Sequence, residues 1–280
     1  MANQISEPNN KTGLWSLVSI AMSFLIAFWI QLIVHECSHY VVGLLTGASD
    51  GNLYLHPFYN SKVVFINSGS TISVILTGIA GPIIDLVFAT LIGILLWHKN
   101  TIKWLPILMW GSIAYIGEGI GMLSSIAVYP DYIEDMTQLV RVGVPINILT
   151  IISIVLLCIG LIWMVLLMPM AGIPLKGQYF KRFIAYLCCL PLYFGLAFCF
   201  IKVFKPMDYE ASSMRFMQLE ISAILAFLLT LLHQPINRLM KLRIKPKVIN
   251  HPTSKDALMT GIWALILLVS LLSYYGLFNT

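Results

Sequence analysis

Residues 35–39 read HECSH, two histidines four positions apart with a glutamate directly after the first. On a helix, that spacing sets both imidazoles on one face, one turn above the other, where they can share a tetrahedral zinc ion. Glu36 is turned aside from the ligand face. It is still near enough to take a proton from a water whose pKa the ion brings down toward about 7. A polarised carbonyl beside an activated water is the chemistry of peptide hydrolysis. A site that only holds zinc needs His35 and His39 but not the carboxylate. The alternative reading is therefore a non-catalytic zinc-binding membrane protein, a sensor or transport accessory.

The elements that must position these residues are set by composition. Of 280 residues, 59% are hydrophobic and 10% charged, against about 45–50% and 25% in soluble domains. The chain reads as an all-α, polytopic membrane protein. Apolar runs long enough to cross a hydrocarbon core of roughly 30 Å extend over about Leu14–Thr46, Ile72–Trp97, Trp104–Val128, Ile146–Pro169, Phe183–Phe204, Phe216–Leu232 and Leu258–Phe278. They predict about seven transmembrane helices in a single membrane domain, 1–280. Residues 14–145 would form a core of three spans and 146–280 four additional ones. The first run exceeds the h-region of a signal peptide and reads as a span. Between spans 1 and 2, LYL and KVVFIN flank HPFYN, which predicts a short β-like hairpin, with His56 an exposed loop residue.

Twelve of the 17 Lys and Arg fall on the N-terminal tail and loops 2–3, 4–5 and 6–7. This imbalance predicts a cytoplasmic N-terminus in a multi-pass protein of, by expectation, the plasma membrane. The net charge of +5 then needs no nucleic acid partner, because basic loops face an anionic leaflet. The five cysteines lie in apolar spans without paired spacing and read as packing residues.

Ionisable groups inside a span cost several kcal/mol unless paired or ligated, so the acids of the apolar runs are candidates too. Glu118, in IGEGIGML, lies at about the depth of His39. It could be a third zinc ligand, a partner that fixes a histidine tautomer, or a carboxylic acid kept neutral by burial, and the tautomer role is favoured. Glycines 117, 119 and 121 beside it would let another helix approach closely. Asp85 shares a helix face with Gly78 and Pro82. Glu220, near the start of span 6, is close enough in sequence to Arg215 for the two to pair.

HECSH in the first long span, AGPIID (Ala80 to Asp85) in the second and an acidic segment after the third together resemble the site-2 protease type of intramembrane zinc metalloprotease, family M50. The resemblance covers about residues 25–145. It implies zinc held by His35 and His39, water activated by Glu36, a third ligand from a later aspartate, and a catalytic cleft lined by Gly81, Pro82 and Asp85. It also implies a membrane-protein or membrane-peptide substrate met within the lipid bilayer. The family's usual L-D-G-G is absent, and VYPDYIEDMTQLVRVGVP, residues 128–145, stands in its region. There the resemblance favours Asp135 as third ligand, ahead of Asp131, with Glu118 also open.

Overall fold

The computed structural model describes residues 11–59, 61–96, 102–127, 135, 138–141, 143–173, 179–241 and 252–278. Helix α1 (Lys11–Leu45) leads into the antiparallel strands β1 (Ser49–Tyr54) and β2 (Lys62–Asn67), followed by α2 (Thr71–Leu96) and α3 (Leu105–Ala127). Then come the single turn α4 (Gln138–Arg141), α5 (Ile146–Leu167), α6 (Tyr179–Leu187), α7 (Leu190–Phe204), α8 (Tyr209–Lys241) and α9 (Ser254–Phe278). Among the described residues, six helices are long and apolar enough to cross a membrane, and the pair α6–α7 makes a seventh crossing if counted as one bent span. The protein is a polytopic helical membrane protein with a small hairpin between its first two spanning helices.

The run expected as one fifth span is two helices meeting at 40°. Pro191 explains the break. It has no N–H to give the carbonyl of Leu187, and its ring collides with that carbonyl in a continuous helix. The sixth span runs on through Pro235 to Lys241, well past its apolar window.

Helix α3 is the central element, packed along α5 and against α1, α2 and α8. Its contact with α5 is close because Gly160 has no side chain. A Cβ there would stand 2.8 Å from the carbonyl oxygen of Ser112, and the Ser112 hydroxyl donates to the Gly160 carbonyl at 2.8 Å. In a bilayer, where lipid is as apolar as leucine, such close backbone packing and interhelical hydrogen bonds hold helices together. The large buried side chains of α1 (Ile20, Phe24, Trp29) and α3 (Leu108, Met109, Ile113) form the core.

The hairpin folds back over the C-terminal end of α1, where Phe65 stacks on Tyr40 with ring centroids 6.1 Å apart. Its connecting turn is docked. Trp29 Nε1 donates to the Pro57 carbonyl at 3.2 Å, Phe58 packs among Trp29, Tyr193 and Phe200, and the Tyr59 hydroxyl donates to Asp208. His56, expected to be exposed, is 3% exposed, with its ring 4.7 Å from that of Phe200. The turn is anchored by packing against α7, a contact that loop composition does not encode. Its backbone N–H donates to Ser61 and its Nδ1 accepts the N–H of Phe58.

Candidate metal centre and its cavity

The end of the bundle shared by the C-termini of α1 and α3 and the N-termini of α2 and α8 holds a cavity of about 590 Å³. His35, Glu36 and His39 all face it. The helical repeat does for the two histidines what their spacing implies, and their Nε2 atoms lie 3.0 Å apart. Asp135, in the turn before α4, brings its Oδ2 to 3.0 Å from His39 Nε2 and 3.2 Å from His35 Nε2.

The other ring nitrogens fix what these three atoms are. His39 Nδ1 is 2.6 Å from the carbonyl oxygen of Thr77 on α2. A carbonyl can only accept, so Nδ1 carries the hydrogen, and Nε2 of the neutral ring points its lone pair into the cavity. His35 Nδ1 stands 3.0 Å from a carboxylate oxygen of Glu118, a close approach off the line of an aligned hydrogen bond, and is biased to the same tautomer. Two lone pairs and a carboxylate oxygen therefore converge within about one ligand-to-ligand spacing, which is repulsive unless positive charge sits among them. Tetrahedral zinc, with bonds near 2.0–2.1 Å, needs ligand atoms about 3.3 Å apart, close to the triangle of 3.0, 3.0 and 3.2 Å found here. The donor set, two imidazoles and a carboxylate with room left toward the cavity, fits zinc.

Asp135 lies outside the spanning helices. Burial opposes its charge, and only positive charge on the histidine side, which a cation among the three atoms would supply as protonated rings do, holds its carboxyl well below the ordinary carboxylate range. The same demand for cation is visible from its side of the triangle. Asp131 falls outside the described residues. Glu118 stands behind His35 rather than beside the converging Nε2 atoms, and Gln31 Nε2 reaches its carboxylate at 3.5 Å. That is the position of the tautomer-fixing partner.

Helix α2 contributes differently from the expectation. Its cavity wall is Val74, Thr77 and Gly78, one turn earlier than Gly81, Pro82 and Asp85. Those three are buried. Gly81 backs directly onto the imidazole pair, and a Cβ there would run into His39 Nε2 and come to 2.8 Å from His35 Nε2. Pro82 has no N–H for the carbonyl of Gly78, so the freed acceptor belongs to a cavity-lining residue. Asp85 turns toward α3, where its Oδ1 accepts the Trp110 indole N–H at 2.7 Å. A carboxylate oxygen of Asp85, one of Glu118 and a nitrogen of His35 lie within 4.8 Å of one another.

Sequence reasoning missed the far wall. Tyr193 and Phe194 of α7 and Arg215 and Gln218 of α8 line the same cavity. The expected Arg215–Glu220 pair is not formed: Arg215 donates through Nη1 to Gln218 Oε1 at 2.8 Å. Five residues on a helix turn two side chains to different faces, whereas three keep them together. An arginine directly before the sixth apolar run was the signal for this wall.

No family model matches the chain, and no match is found among curated proteins or solved structures.

Proposed function

We propose that this protein is a zinc-dependent intramembrane metallopeptidase, of the site-2 protease type that its motifs resemble, cleaving a peptide bond in a membrane-associated substrate. The observation that carries the reading is the convergence of His35 Nε2, His39 Nε2 and Asp135 Oδ2, with His39 Nδ1 bonded to the Thr77 carbonyl behind it. A zinc ion held by these atoms would supply a Lewis acid that acidifies a water and polarises a carbonyl. Glu36 lines the same cavity and lies in electrostatic reach of both histidines and Asp135. As general base it takes a proton while the oxygen–carbon bond forms, then hands it to the departing amine as the carbon–nitrogen bond breaks. Glu118 and the Thr77 carbonyl hold the imidazole tautomers that keep both Nε2 lone pairs available.

Non-catalytic zinc binding would leave Glu36 and the cavity without a use. Glu36→Gln separates the two readings. Peptidase action requires zinc retained and cleavage reduced by about 10²–10⁴-fold, and equal processing by both proteins would falsify it. The basic-residue imbalance orients the N-terminus to the cytoplasm and the cavity to the opposite face of the plasma membrane. Thiol labelling of single cysteines placed at Ser61 and Ser254 tests this: Ser61→Cys should react from outside and Ser254→Cys only after permeabilisation.

A further inference from the structure

The cavity carries charge that hydrolysis does not use. Arg215 lies in the second turn of α8, four residues inside the apolar window Ala211–Ile236, and lines the cavity. Its guanidinium is held by Gln218, which is 4% exposed and is fixed in turn by an Nε2 contact of 3.4 Å to Ser124 Oγ on α3. Ser124 gives its own hydrogen to the Gly121 carbonyl at 2.8 Å, so its oxygen accepts from Gln218 and turns the amide oxygen toward Arg215. The ion pairs found among the described residues all belong to the His35 centre, and none reaches Arg215. Two carboxylates of the cavity are committed, Asp135 to two imidazoles and Glu118 to His35 and Gln31, and Glu36 has the proposed role in proton transfer. Lys62, on β2, adds a second cation to the lining. A guanidinium oriented from behind, with no carboxylate of its own, is built to receive an anion as a planar fork.

We propose that Arg215, with Lys62, forms a subsite for a carboxylate of the peptide substrate, so that the preferred substrates bear an acidic side chain or a free C-terminal carboxylate near the scissile bond. This rests on the peptidase reading. Gln218 is a positioning residue that keeps the guanidinium facing the cavity.

The test uses full-length, zinc-loaded protein in detergent and one fluorescent hydrophobic peptide in four forms, with Glu or Gln at its centre and a free or amidated C-terminus. Binding is read by anisotropy on Glu36→Gln, and cleavage on the wild type. The anionic forms should bind at least about 10-fold more tightly than the neutral one. Whichever carboxylate carries the preference identifies its source. Arg215→Gln should reduce the preference to under about 2-fold with zinc content unchanged, Arg215→Lys should keep part of it, and Arg215→Glu should favour a Lys-bearing peptide. Raising salt on the unmutated arginine should weaken only the anionic forms, a readout that needs no variant to fold. Equal binding of all four forms overturns the subsite, as does an equal loss for neutral and anionic peptides in Arg215→Gln. Cleavage without charge preference sinks the subsite and leaves the peptidase standing. Charge-selective binding without cleavage by the wild type does the reverse.

Discussion

Two of the buried histidine environments among the described residues are built on opposite principles. At the cavity, His39 gives its Nδ1 hydrogen to the Thr77 carbonyl, His35 Nδ1 stands beside Glu118, and both Nε2 atoms turn toward Asp135. Between α6 and α8, His233 is fully buried, and its Nδ1 is hydrogen-bonded to the Tyr186 hydroxyl at 2.6 Å. The charged group in its reach is a cation, the fully buried Arg182, whose guanidinium also lies 4.5 Å from the Tyr179 ring centroid. The second cluster joins one nitrogen to one hydroxyl, leaves His233 Nε2 without a partner among the described residues, and is closed by packing. The first gathers three ligand atoms whose arrangement fits a metal ion, and a cavity leads to it. A histidine in an apolar span is thus informative through what opposes it, more than through its own presence.

The sharpest way to break this contrast is metal content. His35→Ala, His39→Ala or Asp135→Ala should reduce co-purifying zinc from one per chain to near zero, since each removes one of three protein ligands. His233→Ala should leave zinc unchanged. Elemental analysis of the purified variants decides it, and zinc retained in Asp135→Ala would return the third-ligand role to Glu118 or Asp131. Next in size, Glu118→Ala should weaken zinc affinity by about 10–100-fold, the usual cost of losing a group that orients a ligating histidine, measured by competition with a chelator. In the closed cluster, Tyr186→Phe removes the hydrogen-bond partner of a buried nitrogen. Thermal unfolding in detergent should show about 2 kcal/mol lost with zinc content unaffected.

The smallest effect concerns the docked turn. Burial of His56 and the charge of Lys205 push its pKa down to about 4, below the roughly 6.5 of a free histidine. The unfolded turn takes up the proton first. Stability present above about pH 6.5 therefore falls as pH drops toward 4, by about 1 kcal/mol at pH 5.5. His56→Gln should flatten this acid limb, and an unchanged slope would remove His56 from the turn's anchoring.

The part of the site visible in the sequence is the part made by one helix. HECSH needs only 3.6 residues per turn to align His35 and His39, and apolar runs longer than a bilayer is thick announce the spans around them. Gly81 shows where local reading stops. The Gly-Pro motif locates α2 at the site, yet which turn faces the cavity depends on how α2 rotates against α1 and α3, and that rotation puts Thr77 and Gly78 on the wall. His56 illustrates the same limit: loop composition suggests solvent, whereas packing gives Phe200.

The sequence by itself determined a membrane-embedded helical chain, the two aligned histidines and the glutamate between them, because these depend on short-range periodicity and on hydrophobic length. Only the tertiary structure decided that Asp135, 96 residues beyond His39, closes the triangle, that Glu118 stands behind it and that α8 supplies a guanidinium to the far wall. Those relations join residues separated by long stretches of chain. They are fixed by how apolar helices pack and rotate against one another, a balance of many weak contacts that no short stretch of sequence contains.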